Sequence, residues 1–97
     1  MRRAAKIDRN QPEIVNALRL AGASVQLLHS VGEGCPDILI GYRGVNILAE
    51  IKDHEASNTD RKLRPRQVEW HAAWRGQAAV IETVGQALAL IGLKPLA

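Results

Sequence analysis

The spacing of apolar positions changes several times along the 97-residue chain, and each spacing predicts an element. Between Asp8 and Gly22 apolar side chains recur every three or four positions, as on one face of a helix. Short, nearly continuous apolar runs elsewhere favour strands of a sheet that is covered on both faces. The predicted order is α-β-β-β-α-β-α, with helices over 8–22, 64–76 and 84–92 and strands over 24–30, 37–42, 45–52 and 78–83. This order predicts an α/β fold with a central mixed sheet flanked by helices.

Capping signals bound the predicted helices. For the first helix, Asp8 or Asn10 supplies the N-terminal cap, Pro12 suits the first turn and Gly22 suits the end. The other two helices are marked by Pro65 and Gly76 and by Thr83 and Gly92, respectively. The polar stretch 53–62 between the third strand and the second helix is interpreted as an exposed loop.

Three charged residues interrupt the apolar strands on either side of the turn at 43–44. Glu50 and Lys52 share one face of their strand, about 7 Å apart at the backbone. Strand pairing around the turn places Asp37 opposite Glu50, so that two carboxylates face each other. They repel unless a divalent cation such as Mg²⁺ or Mn²⁺ lies between them. The alternative from spacing alone is a structural ion pair between Lys52 and either acid.

Composition limits the setting in which this chemistry operates. The length predicts one domain, residues 1–97, with a basic N-terminal arm at 1–7. The net charge of +3 is compatible with nucleic acid as a partner. A single cysteine, Cys35, excludes an intramolecular disulfide and favours a reducing compartment. Since no signal peptide and no membrane-spanning run is evident, we expect a cytoplasmic protein without a membrane partner.

The charged residues fall into a known nuclease pattern. Pro36-Asp37 followed by Glu50-Ile51-Lys52 is the PD-(D/E)xK signature, and the surrounding stretches GCPD, EIKD and LRPRQ extend the match over about residues 10–85. This set resembles the VRR-NUC family, the virus-type replication-repair nucleases, in a stand-alone phage or prophage form. The resemblance implies a restriction-endonuclease-like core in which a central mixed β-sheet is flanked by helices.

The resemblance also implies roles for individual residues. Asp37 and Glu50 would hold Mg²⁺ or Mn²⁺ together with the main-chain carbonyl of Ile51, and Lys52 would be the catalytic lysine. Gln67 would orient Lys52 or the attacking water. Glu13 matches an acid on the N-terminal helix that contacts the metal through water; the alternative for Glu13 is a solvated residue at a helix start. A basic group flanking Gln67 would bind DNA phosphates, or else form an exposed basic loop without a ligand: Arg61, Lys62, Arg64 and Arg66.

The function implied is metal-dependent, structure-selective DNA cleavage by a homodimer that resembles the Holliday junction resolvases, with four-way junctions as the favoured substrate. The apolar last helix and the pair Trp70 and Trp74 are the candidate dimer surfaces. Three alternatives stay open: a nuclease that acts on flaps or linear duplex, a nucleic-acid-binding module without catalysis, and a structural domain whose charges form only ion pairs.

Overall fold

The computed structural model describes residues 8–53, 55–57 and 62–93. The predicted basic arm, Arg61 and part of the predicted loop lie outside the described residues. The predicted order of elements is confirmed. The elements are α1 (Gln11–Leu20), β1 (Ser24–Leu27), β2 (Ile38–Tyr42), β3 (Val45–Ile51), α2 (Pro65–Ala73), β4 (Ala78–Ile81) and α3 (Val84–Leu90).

The four strands form one sheet in the order β1-β2-β3-β4. The first three strands pair antiparallel, and β4 runs parallel to β3. Parallel neighbours need a crossover connection, and α2 lies within it. The predicted mixed sheet with flanking helices is therefore present. In the described part of the chain, no helix is long and apolar enough to cross a membrane.

The β2–β3 hairpin sets the register on which the charged residues depend. Arg43 and Gly44 both have positive φ, 50° and 80°, as a two-residue type I′ turn requires. Ile38 pairs with Ala49 at the other end of the hairpin. Continuing this register by one position places residue 37 opposite residue 50, as the sequence predicted.

One face of the sheet carries the core. We call it the core face; its fully buried residues are Ile38, Ile40, Ala49, Ile51 and Ile81. The helices α1 and α3 cover this face with Ile14, Leu18 and Ala87, each almost fully buried. Aliphatic side chains at helical spacing on α1 meet aliphatic side chains at alternate strand positions. Their removal from water is the main apolar stabilisation of the fold.

The opposite face, called here the site face, is less covered than the apolar strands predicted. Strand alternation places Leu48, Glu50 and Val80 on it. The helix on this side, α2, has no buried residue. Val80 is 44% exposed, and Val68 and Trp74 on or beside α2 are 51% and 45% exposed. The expectation of two covered faces was therefore only half right, because α2 is short and does not present an apolar stripe to the sheet.

Two capping predictions were wrong. Asn10 stands at the N-cap position of α1, but its side chain makes no cap bond. Its amide nitrogen instead donates to the carbonyls of Lys52 at 3.0 Å and Glu82 at 2.9 Å, so it joins the ends of β3 and β4 to α1. The second helix ends at Ala73, before the predicted Gly76, because the backbone of Trp74 is extended.

The last helix begins and ends as its sequence predicted. The hydroxyl oxygen of Thr83 accepts a hydrogen bond from the backbone N–H of Gln86 at 3.1 Å, which caps α3. Gly92 follows α3 with a positive φ of 83°. The predicted start of α2 at Pro65 is also confirmed.

Candidate active site

Asp37 stands directly before β2 and faces the end of β3. The preceding Pro36 is fully buried, which fixes the entry of the chain into the strand. Asp37 Oδ2 accepts a hydrogen bond from the backbone N–H of Ile51 at 2.7 Å. This contact ties the end of β3 to Asp37 and holds the half-buried carboxylate beside that of Glu50.

Glu50 is an acid in the body of the fold, only 2% exposed. Its Oε2 accepts from Gln67 Nε2 at 3.1 Å and lies 4.0 Å from Lys52 Nζ. Its Oε1 is buried and receives no hydrogen bond from any described N–H or O–H group. A buried carboxylate oxygen without a donor is costly, so this oxygen marks a place where a proton or a cation is needed.

The pKa of Glu50 is raised from its ordinary 4.5 to about 9, with burial as the largest cause. The charge of Asp37, and a hydrogen bond that protonated Glu50 can make to Asp37, contribute to this rise, while Lys52 opposes it. Glu50 is therefore protonated at neutral pH when no metal is bound. The proton stands between the two carboxyl groups, where a cation would resolve the same repulsion.

Lys52 and Gln67 complete a polar chain on the site face. Lys52 Nζ donates to Gln67 Oε1 at 3.0 Å, and the lysine side chain is only 6% exposed. Gln67 Oε1 also accepts from the backbone N–H of Arg64 at 2.8 Å. Because an ammonium group can only donate, the amide oxygen must face Lys52, which turns the amide nitrogen toward Glu50. One glutamine thus fixes the position of both charged groups.

The donor set fits a hard divalent cation. In the described residues, no group of three or more His, Cys, Asp and Glu side chains could hold a metal ion. Mg²⁺ does not need one, because it keeps several waters and is commonly bound through one or two carboxylates. Asp37 and Glu50 supply these, and Ile51, whose N–H binds Asp37, lies next to both.

Glu13 is an exposed residue in the first turn of α1. Asp8 is the N-terminal acid whose charge acts on Glu50 and raises its pKa. The segment that carries Asp8 is held by the ion pair between Arg9 Nε and Asp53 Oδ2, at 2.6 Å. Sequence reasoning interpreted Asp8 only as a helix cap, and its local sequence carries no signal of this long-range position.

A cleft opens beside Asp37 and Gln67, between the β1–β2 loop and the start of α2. Two of the predicted DNA-binding residues, Arg64 and Arg66, line it and are exposed. Arg66 also pairs with Glu33 across the cleft at 3.4 Å. Other lining residues are His29, Gly32, Gly34, Cys35 and Pro65. Lys62 is exposed just before this helix start.

Cys35 lies on the wall of the cleft without a catalytic environment. Burial raises the pKa of its thiol, and the charges of Glu50 and Asp37 raise it further. A thiolate is therefore disfavoured at neutral pH, so Cys35 is not suited to act as a nucleophile.

Comparison with known proteins finds one informative likeness. No protein-family model and no curated protein matches the chain. Among solved structures, one described as "VRR_NUC domain" superposes with a TM-score of 0.65 and 28% sequence identity. The match covers 86% of this chain and 90% of the other. This likeness confirms the predicted resemblance to the VRR-NUC family and the restriction-endonuclease-like fold.

Proposed function

From the fold of a VRR-NUC nuclease domain, we propose that the protein is an endodeoxyribonuclease that depends on Mg²⁺ or Mn²⁺. One observation carries the proposal. The buried carboxyl of Glu50 faces Asp37, has an oxygen without a donor and keeps a proton at neutral pH. Against a purely structural ion pair stands the distance of 4.0 Å between Lys52 Nζ and Glu50 Oε2, which is longer than a hydrogen bond.

Asp37, Glu50 and the carbonyl of Ile51 are the groups that would hold the cation. When bound, such a cation polarises a phosphate oxygen and provides a hydroxide-like nucleophile at neutral pH. Glu13 is proposed to contact the cation through water, and Asp8 is a further N-terminal acid whose charge acts on Glu50.

Lys52 is proposed to act on the phosphate or on the attacking water. Its ammonium group is held 3.0 Å from Gln67 Oε1 and 4.0 Å from Glu50 Oε2, so it stands beside the carboxylates without neutralising either in a tight ion pair. Positive charge in this position stabilises the negative charge that develops on the phosphate in the transition state. Gln67 positions Lys52 and Glu50 and does not itself need to touch the substrate.

Branched DNA, with a four-way junction favoured, is the proposed substrate, and Lys62, Arg64 and Arg66 are the proposed phosphate contacts. A two-fold homodimer would present two sites to two symmetric strands. The last helix is a poor dimer surface, because Ala87 is fully buried and the apolar residues near it pack on the core. The dimer surface is better placed at the exposed apolar side chains of Val68 and Trp74.

The test of the function is cleavage of labelled four-way junction, flap and duplex DNA with Mg²⁺, Mn²⁺ or EDTA. We expect paired junction nicks that require the metal and vanish in Lys52→Met. Lys62→Met, a change of an exposed lysine, should weaken DNA binding and leave the cleavage step intact. Cleavage of flaps or duplex alone would overturn the junction assignment. Binding without any cleavage would establish a non-catalytic module instead.

The homodimer is tested by the molar mass in solution, measured by light scattering. Trp74→Glu places a charge on the proposed surface and should yield monomers. Leu20→Glu is the matched control, since Leu20 is 90% exposed on α1, away from that surface. A monomeric wild type, or dissociation by the control alone, would contradict the assignment.

A further inference from the structure

Two glycines of the β1–β2 loop have nearly the same positive φ and different surroundings. Gly32 and Gly34 have φ values of 78° and 79°, so a side chain at either position meets the φ strain that glycine avoids. A Cβ on Gly32 would meet nothing within 4 Å. A Cβ on Gly34 would overlap the carbonyl oxygen of Arg66 and lie 2.7 Å from its carbonyl carbon and 3.1 Å from the backbone nitrogen of Gln67.

The loop and the first turn of α2 therefore meet backbone to backbone at Gly34. Such a contact has no flexible side chain that could move aside to relieve an added atom. The nearby ion pair between Arg66 and Glu33 is exposed and contributes little to holding the two segments together. The absence of a side chain at residue 34 is what allows the close approach.

This contact matters because few others position α2. No residue of the helix is fully buried, and only Gln67, Trp70 and His71 are half-buried, so apolar packing fixes its position over the sheet only weakly. Gln67 reaches Lys52 at 3.0 Å and Glu50 at 3.1 Å from the same turn that touches Gly34. If the turn is displaced by even one ångström, both hydrogen bonds lengthen and bend away from favourable geometry.

We infer that Gly34 is a positioning residue of the active site: its close contact with the backbone of Arg66 and Gln67 sets the amide of Gln67 against Lys52 and Glu50. The inference rests on the proposed function for its catalytic meaning. Gly34 itself touches no reacting atom. It positions Gln67, and Gln67 in turn orients the two charged groups, Lys52 and Glu50.

The matched pair Gly34→Ala and Gly32→Ala tests it, since both add one methyl group at the same positive φ. The first readout is the ¹⁵N–¹H signal of the Gln67 side-chain amide in the metal-free protein, assigned by its loss in Gln67→Glu. We expect Gly34→Ala to move this signal and Gly32→Ala to leave it unchanged. Equal movement in both variants, or none in Gly34→Ala, would overturn the inference.

The second readout is Mn²⁺ affinity by calorimetry. Gly34→Ala should weaken binding about tenfold, as loss of a residue that orients a metal ligand does, and Gly32→Ala should not. In a Gln67→Ala background, adding Gly34→Ala should cost nothing further. A second tenfold loss in that background would show that Gly34 acts by another route.

Two measurements keep the outcome decisive. If the wild type binds no Mn²⁺, the proposed function fails, while the Gln67 signal still decides the positioning role. If Gly34→Ala does not fold, a nuclear Overhauser effect in the wild type between the Gly34 α protons and the Gln67 backbone amide proton takes its place. Absence of that effect would refute the contact.

Discussion

The two faces of the sheet are built by different means. On the core face, α1 and α3 bury aliphatic side chains such as Ile14 and Leu18 against the strands. On the site face, α2 buries none of its residues and is joined to the sheet by the hydrogen bonds of Gln67 to Glu50 and Lys52. Apolar packing maintains the first arrangement, and a short polar chain maintains the second.

The difference teaches where stability and chemistry reside. The core face can tolerate only changes that preserve its volume, because packed interiors relax little. The site face places a protonated acid and an ammonium group in a nearly water-free position, which is unfavourable without further partners. We therefore expect substitutions on the core face to act on unfolding and substitutions on the site face to act on metal binding and cleavage.

Asp37→Asn should have the largest effect on cleavage and leave the fold intact. An asparagine oxygen can still accept the bond from Ile51 N–H, so the fold is retained, but one carboxylate of the pair is lost. Cleavage should fall by at least about a thousandfold, since a catalytic metal contributes several kcal/mol to the transition state. Steady-state rates beside a circular dichroism melt measure both effects. A variant that unfolds at room temperature would show that the site face also carries the stability.

Leu18→Ala should do the reverse. Leu18 is fully buried in the core, and its truncation should lower the free energy of unfolding by about 2–5 kcal/mol. The rate per folded molecule should not change, because the site lies on the other face. Urea titration gives the first quantity and activity at low urea gives the second. A large loss of activity in fully folded protein would mean that the two faces are coupled.

Gln67→Leu should have a smaller effect on unfolding than Leu18→Ala and a clear effect on the metal. Loss of the amide leaves Lys52 and Glu50 with one partner fewer, a cost of about 1–3 kcal/mol. Mn²⁺ affinity should fall about 10–100-fold. The control is Gln26→Leu, at an exposed position of β1, which should change neither. Unaltered Mn²⁺ affinity in Gln67→Leu would show that Gln67 does not position the metal-binding groups.

The pH dependence of stability reports the proton on Glu50 in the metal-free protein. The folded protein keeps a proton on Glu50 up to a pKa of about 9, and the unfolded chain releases it near the ordinary 4.5. Between these values the folded state binds more protons, so rising pH lowers the free energy of unfolding of the metal-free protein. Tm should therefore fall from pH 6 to pH 8.5, and less so in Glu50→Gln. An equal slope in both proteins would argue against a protonated Glu50.

The parts of the site that the sequence predicted are those set by local rules. The two-residue turn at Arg43-Gly44 fixes the hairpin register, and that register alone brings Asp37 opposite Glu50. Strand alternation then places Lys52 on the face of Glu50. These positions follow from turn geometry and a period of two, both of which are evident in the sequence.

What could not be predicted depends on contacts distant in the chain. Asn10 looks like a helix cap, but its side-chain amide donates to two carbonyls at strand ends. Asp8 has the same local appearance, yet its charge acts on Glu50. Neither outcome has a signal within a few residues of its position.

The central claim is that a cation replaces the proton between Asp37 and Glu50, and titration of Mn²⁺ into the wild type and Glu50→Gln tests it most directly. Calorimetry at pH 7 in buffers of different ionisation enthalpy should show one binding event that releases about one proton. Glu50→Gln should bind far more weakly and release none. Binding of equal strength in both proteins, or binding without proton release, would contradict the account.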